Sequence, residues 1–390
     1  MAKLVIGANK TNGVPAIVKE VSTPSVLGTK TITTNGTYNA SSDNYDGYSS
    51  VTVNVPVPSG TLYISNNGSH DVTNFSSVNV QVYPDPYVKL VKRVSGAEVV
   101  LRNSTTESRM IDLSGVTKIE DDVLSYSYYE NQSVTTVPDF SNVTNIGIRA
   151  CNAMFLSASN LTGSVDLSAL TTTNERSCSS MFMNTKITSV TIGVSQITSS
   201  LAFSQMCQGC QYLTSFSLPN ITKVSGTQAC SDMFKGCTAL ITANLSTLEK
   251  IDGPNGCYGM FSGCTALTSA NLSSLQSVTS YGCRAMFSGC TSLTSVSSFS
   301  ALSELGREAC EEMFKDSGVT TLSFPALKST SFGSRTDQFH NMLSGVTDCM
   351  IHFPMNLNPA LGSTVISSLT GYPDFGGTHT QLSFDLPATE

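Results

Sequence analysis

The chain has 390 residues, a formal net charge of −7 and no basic stripe of the kind a nucleic-acid binder carries. Only 13% of residues are Asp, Glu, Lys or Arg, while Ser and Thr supply about 27% by count of the chain. With 40% hydrophobic residues this is no disordered Ser/Thr tract, and the weakly charged, hydroxyl-rich composition suits a β-rich or solenoid architecture better than an ordinary α/β enzyme.

Residues 1–85 carry a short duplication. The run from Thr31 through Asn35-Gly36 to Tyr38 is echoed from Tyr63 through Asn67-Gly68 to His70, and the alternating run Tyr48 to Val55 is echoed by Phe75 to Val82. Alternation predicts strands, and the Asn-Gly pairs and Asp46-Gly47 predict tight turns. Pro56 and Pro58 separate two small β modules, and Pro84 and Pro86 end the second. Modules this small bury little, so this region is expected to dock on a partner or to self-associate. The start, Met-Ala-Lys-Leu-Val-Ile-Gly, has no apolar run of signal-peptide length, and no stretch approaches a membrane span, so neither a standard leader nor membrane insertion is expected. Residues 86–110 read as a connector or N-terminal cap.

From 111 to 355 an internal repeat takes over. Cys-x-x-Met-Phe recurs at Cys230/Met233/Phe234, Cys257/Met260/Phe261, Cys283/Met286/Phe287 and Cys310/Met313/Phe314, with Gly-Cys following at Gly236-Cys237, Gly263-Cys264 and Gly289-Cys290. Weaker copies lie at Cys151 to Phe155, Cys178 to Phe182, Met206 to Cys210 and Met342-Leu343. The Met positions step by 27, 25, 27, 27, 26, 27 and 29 residues. A second phrase keeps the same beat, at Leu113/Val116/Ile119, Phe140/Val143/Ile146, Leu167/Leu170, Leu218/Ile221/Val224, Leu245/Leu248/Ile251, Leu272/Leu275/Val278 and Phe299/Leu302/Leu305, fading at Phe324/Leu327. Alternation over Leu267–Leu272 predicts a short strand, Leu275 and Val278 a buried return leg, and the i, i+3, i+4 spacing of Cys, Met and Phe one face of a short helix or 3-10 turn ended by Gly. The expected fold is therefore a β-rich repeat solenoid of leucine-rich-repeat type, preceded by small all-β modules. Residues 356–390 form a C-terminal cap or tail, with a short helix at Leu361–Leu369 and a final strand at Gln381–Phe384.

The M-F-x-G-C-T-x-L-T-x-x-x-L phrase resembles the BspA-like leucine-rich-repeat family of bacterial and phage surface proteins over roughly residues 105–355. The N-G-T-Y-N and Y-S-S-V-T-V-N-V phrases resemble modules in tail and fibre proteins of phages that infect gut bacteria. Together these resemblances imply a non-enzymatic virion surface protein, assembled in the host cytoplasm. Its N-terminus would dock on other virion structural proteins, and its solenoid would meet a host surface protein or glycan. Homo-oligomerisation is expected as well. The alternative is a bacterial BspA-like cell-surface adhesin.

Chemistry-bearing residues fall short of a site. The twelve Cys occupy fixed repeat positions and read as a ladder of buried free thiols, and Cys207-x-x-Cys210 lacks the second half of a zinc site. Asp121/Asp122 and Glu311/Glu312 are adjacent pairs that do not face each other across a substrate. The run Asp43 to Gly47 lacks the ligand count of a calcium loop. His70, His340, His352 and His379 have no nucleophile at a recognisable spacing. No cofactor, metal or catalytic residue is expected. What remains is a surface: Thr214, Ser215, Thr268, Ser269, Thr294 and Ser295 are expected to form rows of hydroxyls on one exposed face, suited to protein or glycan contact.

Overall fold

The computed structural model describes the strands Thr29–Ile32, Ser50–Val53, Thr61–Leu62, Ile64–Ser65, Val78–Val80 and Leu90–Val91, then residues 110–388 except 111–112, 114–115, 120, 122–123, 329–330, 332–336, 358–374 and 379. The Asn-Gly turns, the Asp43–Gly47 run, Asp122, His70, His379 and the helix expected at Leu361–Leu369 lie outside the described residues. The chain divides into two compact units, Met1–Lys186 and Ile187–Glu390.

In the first unit the repeat coils stack in register. Strands Lys118–Ile119, Asn145–Ile146 and Thr172–Thr173 pair in parallel, and Thr61–Leu62 extends the same sheet beside Lys118–Ile119. Leu113, Val116, Ile119, Phe140, Val143, Ile146, Leu167 and Leu170 are all buried, as the second repeat phrase predicts. Thr144 Oγ1 donates to Thr117 O at 3.0 Å and Thr171 Oγ1 to Thr144 O at 3.1 Å, clamping each coil to the one before. Strands from both duplicated phrases share one N-terminal sheet: Ser50–Val53 pairs parallel with Thr29–Ile32 and antiparallel with Val78–Val80.

In the second unit the return legs form a five-stranded parallel sheet of Gln196–Ile197, Lys223–Val224, Lys250–Ile251, Ser277–Val278 and Glu304–Leu305. The other strand leg of each coil gives Thr242–Asn244, Ser269–Asn271 and Ser295–Val296, again parallel and in register. Thr321–Ser323, Met350–Pro354 and Gln381–Leu386 form a further parallel sheet. A repeat step of about 27 residues returns each chemical type to the same place one rung along, so like packs on like. The rings of Phe234, Phe261, Phe287 and Phe314 stack at centroid spacings of 5.5, 5.4 and 5.6 Å. Burying a column of rings and Leu/Met side chains is what a single coil could not do alone.

The Cys-x-x-Met-Phe segments hold the apolar spacing expected of them, but without forming a helix. Each is a ribbon of overlapping turns. Ser231, Met233, Lys235 and Cys237 donate their N–H groups three residues back, to Gln228, Cys230, Asp232 and Phe234. The intervening N–H groups of Gln228, Cys230, Asp232, Phe234 and Gly236 instead donate to the next coil, at Pro254, Gly256, Tyr258, Met260 and Ser262. Every fourth residue is left-handed: Gln228 (φ 52°), Asp232 (52°) and Gly236 (71°) here, Tyr281 (58°), Ala285 (51°) and Gly289 (73°) two coils on. That recurring left-handed residue stops the turns from propagating as a helix, because helix growth needs consecutive right-handed residues. Half the backbone donors thus serve the stack rather than the coil.

Candidate functional site

The strand face of the second unit is where the expected hydroxyl rows lie. Ser189, Val190 and Thr191 sit beside Ser215, Phe216 and Ser217. Thr242, Ala243 and Asn244 sit beside Ser269, Ala270 and Asn271, and Ser269 and Ala270 beside Ser295 and Val296. The middle residues point inward and the outer two point out, since strand side chains alternate. Two outward columns result: Ser215, Thr242, Ser269, Ser295 and Thr321, and Ser217, Asn244, Asn271, Ser297 and Ser323. None of these ten side chains is charged.

The six expected residues divide by role. Thr214, Ser215, Thr268, Thr294 and Ser295 are exposed and Ser269 is half-buried. Thr214 Oγ1 donates to Thr188 O and Thr268 Oγ1 to Ile241 O, each at 3.2 Å, and the same carbonyls accept the two residues' N–H groups at 3.0 and 2.9 Å. A carbonyl oxygen has two lone pairs, so these hydroxyls act as clamps between coils, with their protons committed. Ser215, Ser269 and Ser295 carry the hydroxyls that remain available to a partner. Sequence reasoning missed Thr242, Ser217, Asn244 and Asn271, although aligning the coils at the repeat spacing places them in the same columns.

The strand face has a seam. The strands Ser215–Ser217 and Thr242–Asn244 end two separate ladders and share none. Thr268 N–H reaches Ile241 O and Leu245 N–H reaches Asn271 O, yet the equivalent bonds from Ile241 to Thr214 and from Leu218 to Asn244 are not made. The coils stay joined on their other sides, through Val224 beside Ile251 and through Gly209 N–H to Lys235 O at 2.7 Å. Phe216 explains the gap. It occupies the inward strand position where the next two coils have Ala243 and Ala270, and its ring packs 4.7 Å from that of Phe234 and 5.4 Å from that of Phe261. A cavity of about 180 Å³ opens there, lined by Phe216, Ser217, Leu218, Pro219, Asn244, Ser246 and Thr247. On the same two coils, Tyr212 is 57% and Ile241 52% exposed.

Elsewhere the titratable groups are tied to one another. Glu311 is buried against the Arg284 guanidinium at 3.0 Å, whereas Glu312 turns to Lys315 at 2.8 Å, so the adjacent pair serves two separate contacts. Desolvation raises the Glu311 carboxyl above its ordinary range. Burial pushes Glu308 up too, but its hydrogen bond and charge pairing with Arg307 prevail and hold it low. Arg284 also lies over the Tyr258 and Tyr281 rings, at 5.9 and 5.7 Å. His352, for which no nucleophile partner is expected, meets Asp385 through Nδ1 at 2.8 and 3.0 Å, a pairing of adjacent strands invisible at a separation of 33 residues. A second cavity, about 310 Å³, lies on the return-leg sheet where Ser277 interrupts a column of longer side chains, between Asp252 and Glu304. Asp252 is already bridged by Lys223 Nζ at 2.8 Å.

All twelve cysteines are buried as thiols outside any disulfide. Cys237, Cys264 and Cys290 each donate Sγ–H to a carbonyl one coil back, at Cys207, Phe234 and Phe261, all at 3.1 Å. Burial raises the thiols of Cys178, Cys290 and Cys310 to about 12 and that of Cys349 to about 11. A thiol held protonated is neither nucleophile nor metal ligand. Among the described residues no group of three His, Cys, Asp or Glu could hold a metal ion, and no helix is long and apolar enough to cross a membrane.

No family model and no curated protein matches the chain. Among solved structures it is similar to a leucine-rich repeat protein from Bacteroides ovatus, at 15% identity over 78% of this chain and 97% of that one, with a TM-score of 0.21. It is also similar to a leucine-rich cell surface protein from Faecalibacterium prausnitzii, at 16% identity over 77% and 92% of the two chains, again with a TM-score of 0.21. Superposition this poor carries no weight beside the internal geometry. The repeat step, the parallel in-register ladders and the buried columns make the chain a leucine-rich-repeat solenoid.

Proposed function

We propose that this chain is a non-enzymatic, adhesin-like surface protein that holds its partner on the strand face. One observation carries the reading: two outward columns of Ser, Thr and Asn, without a charged side chain, repeat along successive in-register parallel ladders. Such a lattice offers many neutral donors and acceptors at the ladder spacing of about 4.8 Å, with little desolvation of charge. An uncharged glycan matches it better than an anionic polymer or a basic protein, which would need charge on the face. The clustered acids and bases lie on the turn ribbon and are paired among themselves, so they supply no free acid and base for a reaction. The resemblance of the repeat phrase to BspA-like proteins favours a bacterial cell surface as the location.

The test is binding of the labelled chain to arrayed neutral and charged glycans. The reading expects retention on neutral glycans, lost when Ser269 and Ser295 are both changed to Lys and kept when exposed Gln276 on the return leg becomes Lys. Equal binding by both variants would place the partner elsewhere. Fractionation of the producing culture tests location. The reading expects the protein in the bacterial envelope, while recovery only in phage particles would favour the virion role that the N-terminal phrases suggest.

A further inference from the structure

We propose that the seam between the Ser215–Ser217 and Thr242–Asn244 strands is the anchoring subsite of that face, taking the sugar rings of a neutral oligosaccharide. This rests on the glycan reading above and sharpens it to one place. Three independent features coincide at the seam. Backbone groups that pair at the next junction of the face do not pair here: the Ile241 and Leu218 N–H groups lack the coil-to-coil bonds that Thr268 and Leu245 make. A cavity of about 180 Å³, floored in part by the half-buried Phe216 ring, lies at one end. At the other, Tyr212 and Ile241 are the two large apolar side chains most exposed among the described residues.

The chemistry selects the ligand. A sugar ring presents apolar C–H faces and a rim of hydroxyls, each of which can both donate and accept. Tyr212 gives an exposed aromatic face for the C–H surface, a rigid contact that costs little ordering. The open backbone N–H and C=O groups, which would otherwise need water, can bond the rim. Asn244 Oδ1 is occupied by the Ser246 N–H at 3.2 Å, which fixes the amide and leaves its Nδ2 donors for a ligand. The strand Ser215–Ser217 runs roughly 10 Å at about 3.3 Å per residue, room for two sugar rings laid along the seam. The lining residues of the seam bear no charge, so an acidic saccharide gains nothing there.

The experiment titrates the intact chain with cellotetraose, xylotetraose and mannotetraose, with sialyllactose as the charged control, by calorimetry. We expect one of the neutral tetrasaccharides to bind, with Tyr212→Ala weakening it about tenfold or more, equivalent to about 1.4 kcal/mol. Asn244→Asp should weaken it comparably by placing a carboxylate against the rim. Gln276→Ala, on the exposed return leg and outside the strand face, should leave the affinity of a tetrasaccharide within about twofold. Circular dichroism melting checks that each variant is folded, and Tyr212→Phe, which keeps the ring, should retain binding if Tyr212→Ala loses it. Neutral binding that survives both Tyr212→Ala and Asn244→Asp overturns the seam while leaving the strand-face reading in place. If neutral glycans are retained on an array by the strand face but no tetrasaccharide binds in solution, the seam is likewise overturned as an anchor. If the wild-type chain binds no neutral saccharide in either format, the glycan reading falls and the seam falls with it.

Discussion

The ring of Phe216 packs 4.7 Å from the ring of Phe234 and 5.4 Å from that of Phe261, so it lies beside that stacked pair on the strand side. Aligned on the repeat, Cys207 stands where Phe234, Phe261, Phe287 and Phe314 stand in later coils, and Phe203 stands at the position of the first repeat Cys. The coil has exchanged its large and small core residues, and both remain buried. Phe216 instead packs against the later rings from the strand side and lines the cavity at the seam.

That contact predicts coupling. Phe216→Ala should cost about 3 kcal/mol, the low end for truncating a packed Phe, and Phe234→Ala about 3–5 kcal/mol. The double variant should cost less than the sum of the two, because the rings share one contact. Urea unfolding of the two single variants and the double variant measures it, and simple additivity would mean that the two rings do not support each other.

The thiols should be inert until the fold opens. Native protein exposed to a thiol reagent at pH 8 should react slowly or not at all, because burial keeps Cys178, Cys290 and Cys310 protonated up to about 12. The unfolded, unreduced chain should then yield nearly all twelve thiols. Recovery of only a few would show that disulfides bridge the ladder.

Backbone handedness gives a prediction of opposite signs. Ala285 is left-handed at φ 51°, so Ala285→Gly should stabilise by up to about 1 kcal/mol, the usual left-handed penalty less the entropy glycine adds to the unfolded chain. At Gly226 a Cβ would lie 2.2 Å from Ser199 O, so Gly226→Ala should force the two coils apart and destabilise strongly. Thermal melts of both variants check the pair.

The final strand should loosen in acid. The hydrogen bond from the His352 ring holds the Asp385 carboxyl below the usual range. A carboxyl depressed in the folded state contributes stability that is complete above its unfolded value, near 3.9, and lost as the pH falls through its lower folded value. Amide exchange in Gln381–Leu386 should therefore accelerate below about pH 4, and Asp385→Asn should remove most of that dependence.

The coil register was legible in the sequence because Cys, Met, Phe and Leu recur at fixed spacing, and each repeated apolar residue buries where the beat puts it. The turn ribbon was not. Cys230, Met233 and Phe234 satisfy helical spacing equally well, and nothing in Gln228 or Ala285 announces a left-handed residue in the way that Gly236 does. The hydroxyl rows were legible as a face, but the clamp role of Thr214 and Thr268 depends on carbonyls about 27 residues back. The seam depends on one substitution, Phe216 in a column of Ala, Val and Leu, whose effect appears only once neighbouring coils are in contact.

The register decides which residues can reach a partner, and one comparison tests it most directly: hydrogen exchange and unfolding of Phe261→Ala beside Thr268→Ala. Phe261 is wholly buried between the rings of Phe234 and Phe287, so its truncation should cost about 3–5 kcal/mol. Thr268 is exposed and loses only its hydroxyl bond to Ile241 O, which should cost about 1 kcal/mol. Faster exchange should concentrate in the coils flanking residue 261, because a solenoid shares stability between neighbours. Equal, small effects from the two changes would contradict the register, and with it the assignment of the strand face to binding.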